Sequence, residues 1–171
     1  MRFDLYRAIM AYAQAYFTVV AFTIFDILIV ENLFNPIGFE NISIYHYSYF
    51  GVFVPLLIIG LTIFYYLSRF RGGKIRYHKG ALLDALTFCL TTFLLVYFGM
   101  LDFLYYVLRG VDIPSTLPWI NEAYLGILLS AIRGVGDVTR QELLISVAVA
   151  NVISAFIVWF TSVKGDLNKL P

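Results

Sequence analysis

Four long apolar runs bounded by polar or charged positions organise the chain: Ala8 to Val30, Tyr49 to Leu67, Ala81 to about Leu104, and Leu143 to Val163. Each reaches the roughly 20 residues that a helix needs to cross a bilayer. The first run is longer than the core of a signal peptide, contains Asp26 and lacks a small-residue cleavage site before Glu31, so it reads as a retained span. Between the third and fourth runs the pattern changes. "VDIPSTLPW" carries two helix-breaking prolines, and "NEAYLGILLSAIRG" has only about ten uninterrupted apolar residues, too few for a span. This predicts an interfacial or re-entrant helix over about residues 120–133. Gly134 to Asp137 reads as a turn, and Thr139 with Glu142 in "TRQE" matches a capping box opening the last helix.

The expected fold is therefore an all-α integral membrane protein: four transmembrane helices in a bundle, forming one transmembrane domain over residues 1–171, with a short interfacial helix before the fourth. Pro55 should kink the second span. Small residues at four-residue spacing, Ala11 with Ala15 and Ser146 with Ala150 and Ser154, would let helices approach closely, and Asn151 should make an interhelical hydrogen bond.

Charge placement orients the bundle. "SRFRGGKIRYHKG" holds Arg69, Arg71, Lys74, Arg76 and Lys79 with no acid, whereas the loop from Glu31 to Ser48 holds Glu31 and Glu40 with no lysine or arginine. Arg2 and Arg7 precede the first span, and Lys164 and Lys169 follow the last. The positive-inside rule then predicts a multi-pass protein of the cell membrane with both termini cytoplasmic. The Asn41-Ile42-Ser43 triplet, of glycosylation type, falls on the opposite side. Aromatic belts are expected outside at Tyr45, Tyr47, Tyr49, Tyr105, Tyr106, Trp119 and Tyr124, and inside at Tyr65, Tyr66, Tyr77 and Trp159. The five cations of the basic loop would also suit contact with anionic lipid headgroups, each contributing about 1 kcal/mol.

Composition agrees with this class. Of 171 residues 61% are hydrophobic and 13% charged, with a mean hydropathy of +0.83, far from a soluble globular domain. Twelve basic and eleven acidic residues nearly cancel, so no net field draws nucleic acid. Cys89 is the single cysteine, which excludes an intrachain disulfide and multi-thiolate centres. His46 and His78 fall in loops on opposite sides, so a bis-histidine haem is excluded as well, and no cofactor is expected.

Acidic residues inside apolar runs carry the candidate chemistry, because burying an ionised carboxylate costs several kcal/mol unless it is paired. At about 100° per residue, Asp84, Thr87, Thr91, Gly99, Asp102, Tyr105, Tyr106 and Arg109 fall on one stripe of a continuous third helix. Asp84 and Asp102 would stand roughly 27 Å apart along it, too far to act together. Threading instead brings Asp26 of the first span to the depth of Asp102 in the outer half, near Glu31, Asn32, His46, Tyr106 and Arg109, with Glu122 and Arg133 on outer loops. Asp84, at the inner end, would pair with Lys79, Arg76 or Arg7.

Three arrangements suit the outer acids. Arg109 or Arg133 neutralises Asp102 as a structural ion pair; Asp26 and Asp102 share a proton; or Asp26, Asp102 and Glu31 or His46 hold a divalent cation. The ion pair suits a non-catalytic subunit or scaffold of a membrane complex; the proton or cation site suits a proton- or cation-coupled transporter; and the same two acids, as general acid and base, suit an intramembrane enzyme on a lipid or isoprenoid substrate. The subunit is the expected role, since no catalytic motif stands out. Its partners would be the bilayer, other membrane subunits or a homo-oligomer.

Overall fold

The computed structural model describes residues 2–3, 5–34, 48–68, 79–134 and 136–164, and these are mostly helical. Helix α1 (Leu5–Ile29) continues into a π-helical turn at Val30–Phe34, and a second such turn, Tyr49–Phe53, leads into α2 (Val54–Ser68). Helix α3 (Lys79–Leu95) passes through an irregular segment, Val96–Met100, into α4 (Leu101–Arg109). A 3-10 turn (Pro118–Glu122), α5 (Tyr124–Arg133) and α6 (Arg140–Ser162) complete the chain. Four helical stretches are long and apolar enough to cross a membrane: Ala8–Asn32, Tyr49–Ser68, Ala81–Arg109 and Arg140–Ser162.

Two short antiparallel ladders close the two ends of the bundle. Strand β1 (Arg2–Phe3) pairs with β4 (Val163–Lys164), so the start of α1 and the finish of α6 meet at one end. At the other end β2 (Thr116–Leu117) pairs with β3 (Val138–Thr139). Residues 118–137 therefore leave and return at one level, and α4 and α6 run in opposite directions from it. The ten-residue α5 is a hairpin arm of this excursion.

Helix α3 is the hub, packing against α1, α2 and α6. Helix α1 buries Ala8, Ala11, Ala15, Val19 and Phe22, a three-to-four-residue spacing that puts one stripe inward. Ser146, Ala150 and Ser154 are buried on α6, and both rows of small residues anticipated above lie in the interior. Three of the buried hydroxyls turn back on their own helices: Thr23, Thr87 and Thr92 donate to the carbonyls four residues earlier. Asn151 links α6 to α1, with its Oδ1 accepting from Tyr12 Oη at 3.0 Å and from Tyr16 Oη. Its Nδ2 donates to the Val147 carbonyl. Interhelical bonds of this kind contribute about 0.6 kcal/mol each in measured bundles, so Asn151→Leu should lose about 1 kcal/mol, read from unfolding midpoints in mixed micelles. A change below about 0.3 kcal/mol would show that the two tyrosines find other acceptors.

Pro55 lies inside the continuous helical stretch Tyr49–Ser68, directly after the π-turn Tyr49–Phe53, so the irregular turn of that helix adjoins its proline. Two features differ from the sequence-based expectation. The third apolar helix runs on to Arg109, where Gly110 closes it in the left-handed conformation (φ 63°). That same helix is not continuous. Phe98 (φ −95°, ψ 19°) and Gly99 (φ 91°, ψ 11°) leave helical geometry, which breaks the angular relation on which the Asp84-to-Asp102 stripe was drawn. Thr139 and Glu142 do form the capping box, and α6 begins three residues before Leu143.

Candidate functional site: an acidic centre beside a broken helix

The break at Phe98–Gly99 opens the backbone, and side chains from other helices satisfy what it frees. Ser146 Oγ on α6 donates to the Phe98 carbonyl at 2.9 Å. Tyr97 Oη donates to the Phe50 carbonyl, also at 2.9 Å, joining the break to the π-turn before α2. In apolar surroundings a freed carbonyl needs such a donor, so the break is held by its neighbours. Gly99 alone can take this φ here, and its missing Cβ leaves room for Leu143, whose Cδ1 would lie 2.4 Å from one.

Asp102 follows the break directly, in the first turn of α4. A carboxylate there is favoured by the helix dipole. Trp119, brought back over α4 by the β2–β3 ladder, lines the same cavity as Asp102 and lies within electrostatic range of its carboxylate. Asp26 on α1 is within electrostatic range of Asp102 and of the Tyr49 hydroxyl. Tyr49 is buried, donates to the Phe22 carbonyl at 2.8 Å and stacks on Phe25 and Phe53. Tyr106 is buried within range of both Asp102 and Arg109. Two acids from different helices, two buried tyrosines and one tryptophan thus share one region.

The arginines are engaged elsewhere. Arg109 Nε lies 3.0 Å from Glu31 Oε1 on the π-turn that ends α1, and its Nη1 donates to Tyr105 Oη at 2.8 Å. Both partners of the Arg109–Glu31 pair are more than a third exposed, so in water it would contribute at most about 1 kcal/mol. Arg133 pairs with Glu142 and donates to the Gly136 and Asp137 carbonyls, which fastens the turn before α6. Neither arginine is the partner of Asp102 that the structural ion-pair reading required. Asn32 donates to Leu28 on its own helix. His46, Arg69, Arg71, Lys74 and Arg76 lie outside the described residues, as do the Lys79 and Glu122 side chains and the Asn41 triplet. Among the described residues no three His, Cys, Asp or Glu side chains come together as metal ligands.

A cavity of about 230 Å³ lies between the break and the excursion. Asp102 reaches it beside Gly99, and Phe50, Tyr97, Trp119 and Tyr124 supply aromatic walls. Tyr97 and Tyr124 meet edge to face at 4.6 Å between centroids. The excursion itself is braced by Asn121, which donates to Asp137 Oδ1 at 2.7 Å and accepts from the Val138 N–H at 3.0 Å. In the sequence Tyr49 and Trp119 carry only the signature of belt aromatics. Their shared depth with Asp26 and Asp102 was a usable signal; the return of Trp119 onto α4 depends on a strand pairing that no local pattern encodes.

No family model matches the chain, and neither the curated proteins nor the solved structures include a match. The functional reading therefore rests on the site alone.

Proposed function

We propose that the chain is a multi-pass membrane protein, both termini cytoplasmic, that handles protons or cations through an Asp26–Asp102 centre in the outer half of the bilayer. The observation that carries this reading is two carboxylates from separate helices within electrostatic range of one another, one of them beside a helix break and lining a cavity. Like charges in poor solvent resist joint ionisation, so two such acids favour uptake of a proton or a cation. Broken helices that line a cavity are also where irregular backbone is tolerated inside a membrane. The cation-rich segment from Arg69 to Lys79 supports the orientation, since it precedes the inner end of α3. In that orientation α5 lies at the outer interface, and the basic segment faces anionic headgroups. At 171 residues the protein would complete a pathway as a homo-oligomer.

The test is proton flux in proteoliposomes under an imposed potential. Asp102→Asn and Asp26→Asn should each lower the flux at least tenfold while leaving the unfolding midpoint within a few degrees of the parent. Flux no greater than in empty vesicles, or flux unchanged in both folded variants, would overturn the reading.

A second reading, a non-catalytic subunit of a membrane complex, is favoured by α2, which packs chiefly on α3 and exposes Leu56, Ile59, Ile63, Phe64 and Leu67. Lipid covers such a face equally well. Gentle extraction followed by native mass spectrometry separates the two, because a subunit would carry a stoichiometric partner of different mass.

A further inference from the structure

We infer that the cavity beside Asp102 binds a small organic cation, an ammonium group carrying an apolar body. The inference deepens the reading of Asp102 as part of a functional centre and rests on it.

The walls decide the ligand class. Phe50, Tyr97, Trp119 and Tyr124 line one space with a single carboxylate, that of Asp102. Aromatic faces carry negative quadrupole charge and attract cations, most strongly where water is excluded, and they contact the alkyl groups of an ammonium ion as well as its charge. A carboxylate beside them supplies the compensating full charge.

Other occupants fit less well. A bare calcium or magnesium ion needs six or more oxygen ligands and zinc about four acidic, histidine or cysteine ligands, whereas these walls offer mostly carbon, and no three such groups converge among the described residues. A neutral apolar molecule would seal Asp102 into apolar surroundings with no charge to offset the loss of water.

The dimensions bound the ligand further. At about 230 Å³ the cavity falls below the roughly 300–1,000 Å³ of sites for drug-sized molecules. A trimethylammonium group with one ring attached is of suitable size. Tyr124 and Ile127 line the cavity from α5 and are themselves more than half exposed, so α5 is the thin wall. Its glycine, Gly126, packs directly on Ile120 and Asn121 and sets how closely that wall approaches the rest of the site.

The protein reports on its own occupancy. It contains two tryptophans, and Trp159 is an exposed residue on α6, remote in sequence from the lining set. A Trp159→Phe background leaves Trp119, inside the cavity, as the sole indole. Benzyltrimethylammonium and its uncharged isostere neopentylbenzene are titrated into this protein in nanodiscs while Trp119 emission is followed.

The expected result is saturable binding of the ammonium, at least tenfold tighter than that of the isostere. Asp102→Asn should weaken the ammonium at least tenfold and leave the isostere within twofold. Should Asp102→Asn fail to fold, Tyr124→Leu serves instead, since it removes one ring from an exposed helix. It should weaken the ammonium about threefold more than the isostere.

Equal affinities for the two probes, no saturable binding, or ammonium binding indifferent to both substitutions would overturn the proposal. Its failure is distinguishable from failure of the underlying reading. If the ammonium does not bind but proton flux still falls in Asp102→Asn and Asp26→Asn, the ligand assignment alone is wrong. If flux is also absent, the functional centre goes with it.

Discussion

Gly126→Ala should destabilise the protein by about 3 kcal/mol, although alanine is ordinarily the better helix former by about 1 kcal/mol. The sign reverses because of what lies against α5. A Cβ built on Gly126 would stand 2.2 Å from the Ile120 carbonyl oxygen and 2.4 Å from the Asn121 Cα. Both are backbone atoms, so no rotamer change relieves the overlap, and the helix must move off the Pro118–Glu122 turn. Overpacking of this kind costs about 1–3 kcal/mol, and lost contacts add to it, because Leu125 and Ile120 on either side of the gap are buried. The movement would also draw Trp119 away from Asp102. Unfolding midpoints together with Trp119 emission check the prediction; an alanine variant as stable as the parent, with unchanged emission, would show that α5 does not seat as described.

Gly99→Ala has a comparable effect from two separable causes, and should lose about 2–4 kcal/mol. A φ of 91° is strained for any residue with a Cβ, at a cost of about 1–2 kcal/mol. The new methyl would also stand 2.4 Å from Leu143 Cδ1 and 3.2 Å from Leu125 Cδ2. Side chains can yield where backbone cannot, but Leu143 is fully buried and has little room to turn. The causes part in a double-mutant cycle with Leu143→Ala. That substitution makes space for the methyl and cannot relieve the backbone strain, so the pair should be more stable than additivity predicts by about 1 kcal/mol or more. Strict additivity would mean that the clash is absent and strain accounts for the whole loss.

The two glycines also show where sequence pattern stops being informative. The four long apolar helices were legible because their signal is length and composition, which each segment carries within itself. The capping box was legible for the same reason: Thr139 and Glu142 are three residues apart and satisfy one another. The helix break was not. Gly99 sits in an apolar run that reads as helix, and what holds it open is Ser146 Oγ and the side chain of Leu143, some 45 residues on. Local helical periodicity implies a continuous stripe from Asp84 to Asp102, and partners distant in sequence interrupt it at Phe98 and Gly99.

For the acidic centre the balance is similar. Matching depths of Asp26 and Asp102 followed from counting residues along two antiparallel spans, and the structure places the two within electrostatic range. The choice of partners was beyond that method. Arg109 shares a helix with Asp102 but pairs with Glu31, while Trp119 joins Asp102 in the cavity wall from a segment displaced by two prolines and a two-residue ladder.

The position of α3 as hub bears on how the molecule is made. Helices α1 and α2 leave synthesis first, yet neither is the other's principal neighbour; both pack mainly on α3. They meet at one end, where Tyr49 bonds to the Phe22 carbonyl and its ring lies among those of Phe25, Phe50 and Phe53. The two helices are thus a pair of tongs hinged on an aromatic clasp, with α3 gripped between the jaws. The helix break and the cavity lie on what the tongs hold, so loosening the clasp at Tyr49 should loosen the cavity as well.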